Sequence, residues 1–200
     1  MLSFIALTIF FVVSSFVKAH EMHLADSHGP ITIMGDHMHK KGKVMFSYRF
    51  GQMKMNNVAN GTKKVNINSV MSSPNGASNN LGNYMNAPIS MKMNMHMFGG
   101  MYAPSDNLNF MIMSSYQEKE MIHQRMSMDG GSRFNVNSSG ISDTRISSLI
   151  SVFNNDLIKS HIGIGLSLPT GSINKRDTTP ASSNSRLGYS MQNGTGTYDL

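Results

Sequence analysis

The residues with the richest ligand chemistry in this chain are histidines and methionines, and they fall in three runs. His20, Met22, His23 and His28 make the first, Met34, His37, Met38 and His39 the second, and Met91, Met93, Met95, His96 and Met97 the third. Thioethers and imidazoles are soft ligands that suit Cu(I), and imidazole also takes Cu(II). Cleavage after Ala19 would place a free amine beside the His20 imidazole, a chelating pair for copper. His20, Met22, His23, His37, Met38 and His39 are therefore the candidate metal ligands, with copper the metal they suit; a plain polar lead-in without metal is the alternative. The third run reads differently. Its methionines alternate with Lys92, Asn94 and His96, and a polar lumen would take that second set, leaving the methionines as flexible apolar side chains towards lipid. Met53, Met55 and Met71 read as the product of an AT-rich coding bias at strand ends and in a loop.

Other chemistry finds no support. The chain has no cysteine, which excludes disulfide scaffolds, zinc–thiolate sites and thiol catalysis. Its carboxylates are scattered (Asp36, Asp106, Glu118, Glu120, Asp129, Asp143), and Asp106 and Asp143 fall at strand ends, where turn chemistry accounts for them. Glycine-rich stretches lack the lysine–serine pair of a phosphate-binding loop. The sequence thus reads as that of a non-enzyme. A net charge of +6 comes from dispersed bases, not the basic stripe of a nucleic-acid-binding protein.

The elements that position these residues follow from composition and periodicity. Two hundred residues make one domain plus a leader. Charged residues are 14%, against about 25% in ordinary globular chains. Mean hydropathy is nevertheless −0.22, because Asn, Ser and Gly replace the missing charge. A polytopic helical membrane protein, with spans of about 20 apolar residues, is excluded. Leu2–Val17 is the single long apolar run and ends in Val17-Lys18-Ala19, so residues 1–19 read as a secretory signal peptide, an uncleaved anchor being the alternative. Residues 20–41 then form a periplasmic His/Met-rich lead-in, and 42–200 the folded part.

Within 42–200 the recurring pattern has period two, the signature of half-buried strands. Five runs show it: Lys43–Gly51, Ser90–Tyr102, a run opening at Leu108, Asp143–Phe153, and Ile158–Leu168. Their connections alternate in length. Ala103–Asn107 and Asn154–Asp156 are tight turns, whereas 56–89, 117–142 and 170–197 are long and rich in Asn, Ser and Gly; Lys63–Met71 reads as structure inside the first. Short turns on one rim and long loops on the other, joined by strands of alternating polarity, describe an antiparallel up-and-down transmembrane β-barrel. A soluble sandwich also alternates and is the competing all-β fold. Five strands and the start of a sixth near Tyr198 fall short of the usual minimum of about eight, so the expectation is a partial barrel lacking its C-terminal strands. With apolar residues set towards lipid, the phase places Arg49, Lys92, His96, Arg145, Lys159 and His161 on the lumen. Such a basic lining favours anions, unless loop acids such as Glu118 and Glu120 fold in to neutralise it.

Five ordered blocks carry a family resemblance: MGDHMHKKG from Met34, MKMNMHMFGGMYAPSDNLNFMIMSSY over Met91–Tyr116, SSGISD from Ser138, LSLPTGSI from Leu166, and MQNGTGTYDL from Met191. Together they resemble Gram-negative outer-membrane β-barrel proteins of a transporter-like family, related to the barrel family named for the meta-pathway of phenol degradation. The likeness spans about Met34 to Leu200, and family members continue beyond the last block with further strands. It implies an outer-membrane location, lipid and the barrel-assembly machinery as partners, and passive or facilitated passage of small solutes, aromatic or hydrophobic compounds among them. A copper-binding resistance protein and a purely structural surface barrel are the alternative readings.

Overall fold

The computed structural model describes residues 35, 37–76, 82–126, 131–154 and 159–200. The signal peptide, His20, Met22, His23 and the Asn155–Asp156 turn lie outside these residues. Every element below belongs to the unit Met38–Leu200; of the preceding unit, Met1–His37, only Gly35 and His37 are described.

The chain is mostly antiparallel β-sheet. The strands are β1 (Val44–Asn56), β2 (Val58–Asn60), β3 (Lys63–Val65), β4 (Asn86–Ser105), β5 (Leu108–Arg125), β6 (Arg133–Ile141), β7 (Thr144–Asn154), β8 (Lys159–Leu168), β9 (Arg176–Thr179) and β10 (Ser182–Arg186). The main sheet runs β1-β4-β5-β7-β8, with β6 also on β5. No barrel closure is present among the described residues. The first long loop does hold structure: β2 and β3 pair as a hairpin, and a short helix, α1 (Ile67–Met71), starts where the Asn66 side chain accepts from the Asn68 N–H at 2.9 Å. That bond satisfies one of the orphan donors of the first turn.

The second long loop is largely absent. Residues 117–125 continue β5, and β6 returns along them, Gln124 opposite Arg133 and Tyr116 opposite Ile141. β7 then takes the other half of β5, from Met113 opposite Arg145 to Leu108 opposite Ile150. β6 and β7 thus flank β5 in succession, interrupted at Ser142–Asp143.

Register fixes two faces, because side chains of directly opposed residues point the same way. Successive rows on one face read Val44, Tyr102 and Phe110; Phe46, Gly100, Ile112 and Ile146; Tyr48, Phe98 and Ser114; Phe50, His96 and Tyr116. Beyond them the same face turns polar within one step, to Gln52, Asn94 and Glu118, then Lys54, Lys92 and Glu120. We call this the aromatic face. The other carries Met45, Met101 and Met111; Arg49 and Met97; Gly51 and Met95; Met53, Met93 and Lys119; Met55, Met91, Met121 and Val136. It is the methionine face.

The two faces differ in cover. The core lies on the methionine face, where Met91, Met121 and Val136 pack with Leu187 and Met191. These last two belong to a segment after β8 that folds back over the sheet and carries the β9–β10 hairpin and a 3-10 turn at Tyr189–Met191. The aromatic face is bare. Phe46 is 83% exposed, Tyr48 57%, Phe50 55% and Ile164 57%.

Candidate functional site

The methionine face is built by period-two alternation. β1, β4 and β5 bring eleven methionines onto it: Met45, Met53, Met55, Met91, Met93, Met95, Met97, Met101, Met111, Met113 and Met121. Met91, Met101, Met111 and Met121 are buried, whereas Met93, Met95 and Met97 are half-buried and Met53 is exposed. Gly51 leaves a gap among them. A Cβ at that position would lie 3.4 Å from the Met95 Cε and 3.5 Å from the Met97 Cε, so both side-chain ends lean over one spot.

Charge on this face comes from bases. Arg49, Lys119, Arg125 and Arg145 share it with His161, and no carboxylate stands on its strands among the described residues. The Lys119 Nζ donates to the Ser190 carbonyl at 3.2 Å and to that of Gln192, holding the fold-back segment. Asp143, at the break between β6 and β7, holds its far end. One carboxylate oxygen accepts from the Gly171 N–H at 2.8 Å, the other from the Thr195 N–H at 2.7 Å and hydroxyl at 2.9 Å. Burial pushes the Asp143 pKa up, but the bonds from Thr195 and Gly171 outweigh it and hold the carboxyl below its ordinary value. Gly171 and Gly194 cross here backbone to backbone: a Cβ on Gly171 would lie 2.6 Å from the Gly194 Cα. Between this crossing and the sheet is a cleft of about 400 Å³, lined by Gln117, Lys119, Asp143, Gln192 and Thr195 among others.

The six basic residues expected together divide between the faces. Arg49, Arg145 and His161 lie on the methionine face, His161 opposite Ser151. Lys92 and His96 lie on the aromatic face, Lys92 opposite Lys54 and Glu120 beyond the apolar rows. His96 sits at the boundary, its Nδ1 at 2.9 Å from the Tyr48 hydroxyl and its ring 5.1 Å from that of Phe50. Lys159 is exposed at the start of β8, past a bulge between Ser151 and Phe153. The misphasing has one cause. Sequence alternation alone makes the methionines of β4 the apolar, outward set, but pairing with β1 puts them beside Ser47, Arg49 and Gly51. Glu118 and Glu120 are strand residues of β5 on the aromatic face, and so do not fold in from a loop onto Arg49 or Arg145.

Of the candidate copper ligands, His37 and Met38 are half-buried and His39 is buried. The Asn109 side chain, fully buried, braces the His39 backbone: with its amide oxygen set towards the His39 N–H the separation is 2.6 Å, and its nitrogen reaches the His39 carbonyl at 3.2 Å. No cluster of three His, Asp or Glu poised for a metal occurs among the described residues. No described helix is long and apolar enough to cross a membrane, which leaves strands untouched by that test. No family model, no curated protein and no solved structure matches the chain.

Three features escaped the sequence. The methionines of β1 and β5 join those of β4 only through register. Lys119 lies in a stretch polar on both sides of the strand. Asp143 looks like any turn aspartate until Gly171 and Thr195 arrive from 28 and 52 residues away.

Proposed function

We propose that the sheet is a wall of an outer-membrane β-barrel, aromatic face to lipid and methionine face to the lumen, through which small solutes pass by diffusion. The observation that carries this reading is the bare aromatic face. Fifteen of its apolar side chains, from Leu166 at 36% to Phe46 at 83%, stand exposed on one continuous face, and a contiguous exposed apolar patch marks a surface meant for something other than water. From Leu108 to Tyr116 the belt spans eight steps of about 3.4 Å. That is about 27 Å along the strand, or about 20 Å along the normal at a 40° tilt, close to the roughly 25 Å band of such barrels. Tyr102 and Phe110 mark one edge, and Phe50, Tyr116 and Tyr48 the other, where the face turns polar in a single row. Aromatic girdles of this kind mark both interfaces of outer-membrane strands.

The lumen surface would be thioether with a basic bias. Arg49, Lys119, Arg125 and Arg145 without strand carboxylates favour small anionic or neutral solutes electrostatically, and the methionines offer a soft apolar lining to aromatic ones. No covalent step is involved.

The cysteine-free chain makes the test direct. Single variants Ser47→Cys and Gln117→Cys sample one face; Tyr48→Cys, Phe110→Cys and Ile146→Cys sample the other. In intact membranes a charged, membrane-impermeant maleimide is expected to label the first set, and the second only after denaturation. Equal labelling of both sets before denaturation would overturn the assignment.

A further inference from the structure

We infer that the methionine face holds a site for a soft monovalent cation, Cu(I) or Ag(I), built by Met53, Met93 and Met95 beside the open position at Gly51.

Segregation is the first argument. On β1, β4 and β5 all eleven methionines lie on one face and none on the other, whose apolar positions are filled by Val44, Phe46, Phe98, Leu108, Phe110 and Ile112. A coding bias acts on codons and has no knowledge of which side of a strand a residue will face. A requirement for apolar volume is not the cause either, since the aromatic face meets that requirement with hydrocarbon alone. What distinguishes the methionine face is sulfur, and thioether sulfur selects Cu(I)-type ions.

Convergence is the second. Met53 and Met93 are register partners, as are Gly51 and Met95. Opposed Cβ atoms are about 5 Å apart and diagonal ones about 7 Å, distances over which long thioether side chains with three rotatable bonds can meet at one ion. The Met95 and Met97 methyl carbons already stand 3.4 and 3.5 Å from the missing Gly51 Cβ. A Cβ at 51 would already touch both methyl carbons, so a branched side chain there would crowd the thioethers.

Access is the third. Met91, Met101, Met111 and Met121 are sealed in packing at 4–8% exposure, while Met53 is 41% exposed and Met93 and Met95 are half-open. Ions can therefore reach this group and not the core methionines. The neighbouring charges set the valence. Arg49 and Lys119 share the face one row away or less, and their repulsion is twice as large for a divalent ion as for a monovalent one. Hard divalent ions also want oxygen ligands in number, which the three methionines do not offer.

The test is silver nitrate titration of the full chain in chloride-free detergent solution, with methyl-¹³C methionine labels read by NMR. The expected result is a joint, saturable shift of the Met53, Met93 and Met95 methyl signals, assigned by single Met→Leu variants. Leucine nearly conserves volume and keeps the sheet folded. The triple variant Met53→Leu/Met93→Leu/Met95→Leu should bind silver about tenfold more weakly or worse, and Gly51→Val, which removes no sulfur, should weaken binding too. Met101→Leu should leave affinity unchanged. Shifts confined to Met22, Met34 and Met38, or an undiminished affinity in the triple variant with its denaturation midpoint intact, would overturn the proposal. Silver binding reads ligand chemistry and maleimide labelling reads sidedness, so either result can fail without the other.

Discussion

Replacing Gly194 by alanine tests the crossing that ties the fold-back segment to the sheet. The added Cβ would collide with the Gly171 carbonyl oxygen and would lie 2.6 Å from the Gly171 carbonyl carbon and 2.8 Å from the Asp143 Oδ1. Two of these neighbours are backbone and the third is a carboxylate fixed by three hydrogen bonds, so nothing flexible can give way. Separating the two segments costs an overpacking penalty of about 1–3 kcal/mol. It also pulls the Gly171 or Thr195 N–H off the carboxylate; a hydrogen bond to a charged group contributes about 1.5–3 kcal/mol, and the half-open setting of Asp143 places it at the low end. The expected total is about 2–5 kcal/mol. With a urea slope of about 2 kcal/mol per molar, the midpoint in detergent, followed by circular dichroism of the strands, falls by about 1–2.5 M. Gly188→Ala is the control: its Cβ meets nothing within 4 Å and its φ is −61°, so its effect stays within about 0.5 kcal/mol. If the two variants unfold at the same urea concentration, the crossing does not hold the segment and the reasoning fails.

Other outcomes follow from single residues. Phe46→Lys, at the middle of the apolar rows, should cost about 2–4 kcal/mol in a bilayer, whereas on a sheet in water a residue this exposed would change stability by about 0.5 kcal/mol or less; unfolding in vesicles compares the two. Asp143 has a folded pKa below its ordinary 3.8, so its stabilisation is complete above that value and is lost as pH falls through and below it. The deficit of Asp143→Asn relative to the native chain should therefore be full at pH 7 and shrink from about pH 4 downward; a constant deficit from pH 7 to 2 refutes the clamp. Met191→Ala empties a site that is 1% exposed and should cost about 2–5 kcal/mol, measured by urea titration.

Alternation made the strands legible, and polarity on both sides hid some of them. β1, β7 and β8 carry aliphatic or aromatic residues on alternate positions, and the sequence periodicity marks them. The second half of β5, Gln117–Arg125, has Glu118 and Glu120 on one side and Gln117 and Lys119 on the other, so it offers no contrast to read. β6 shows Phe134 and Val136 near its start and Ile141 at its end, separated by Asn, Ser and Gly. In β4 the alternation was visible but its sense was not. Methionine is apolar enough to suit lipid and polarisable enough to suit a lining, and only pairing with β1 decides between them. The candidate site was legible residue by residue in the Met93–Met97 run; Met53 and Gly51 join it through a strand pairing some 40 residues apart in sequence.

The Asp143 clamp also orders events in time. Its carboxylate sits between two strands laid on the same edge of β5, and its three donors come from chain made later. Bringing them together closes loops of 28 and 52 residues, an entropic cost that must be met before the contact rewards it. During synthesis or translocation from the N-terminus, β6 and β7 are available before Gly171 and Thr195 exist. Until those residues arrive, Met91, Met121 and Val136 stand uncovered, a sticky interval in which another chain could dock where Met191 belongs. The crossing of Gly171 and Gly194 is thus a late latch, and its formation reports that the strands before it are in register.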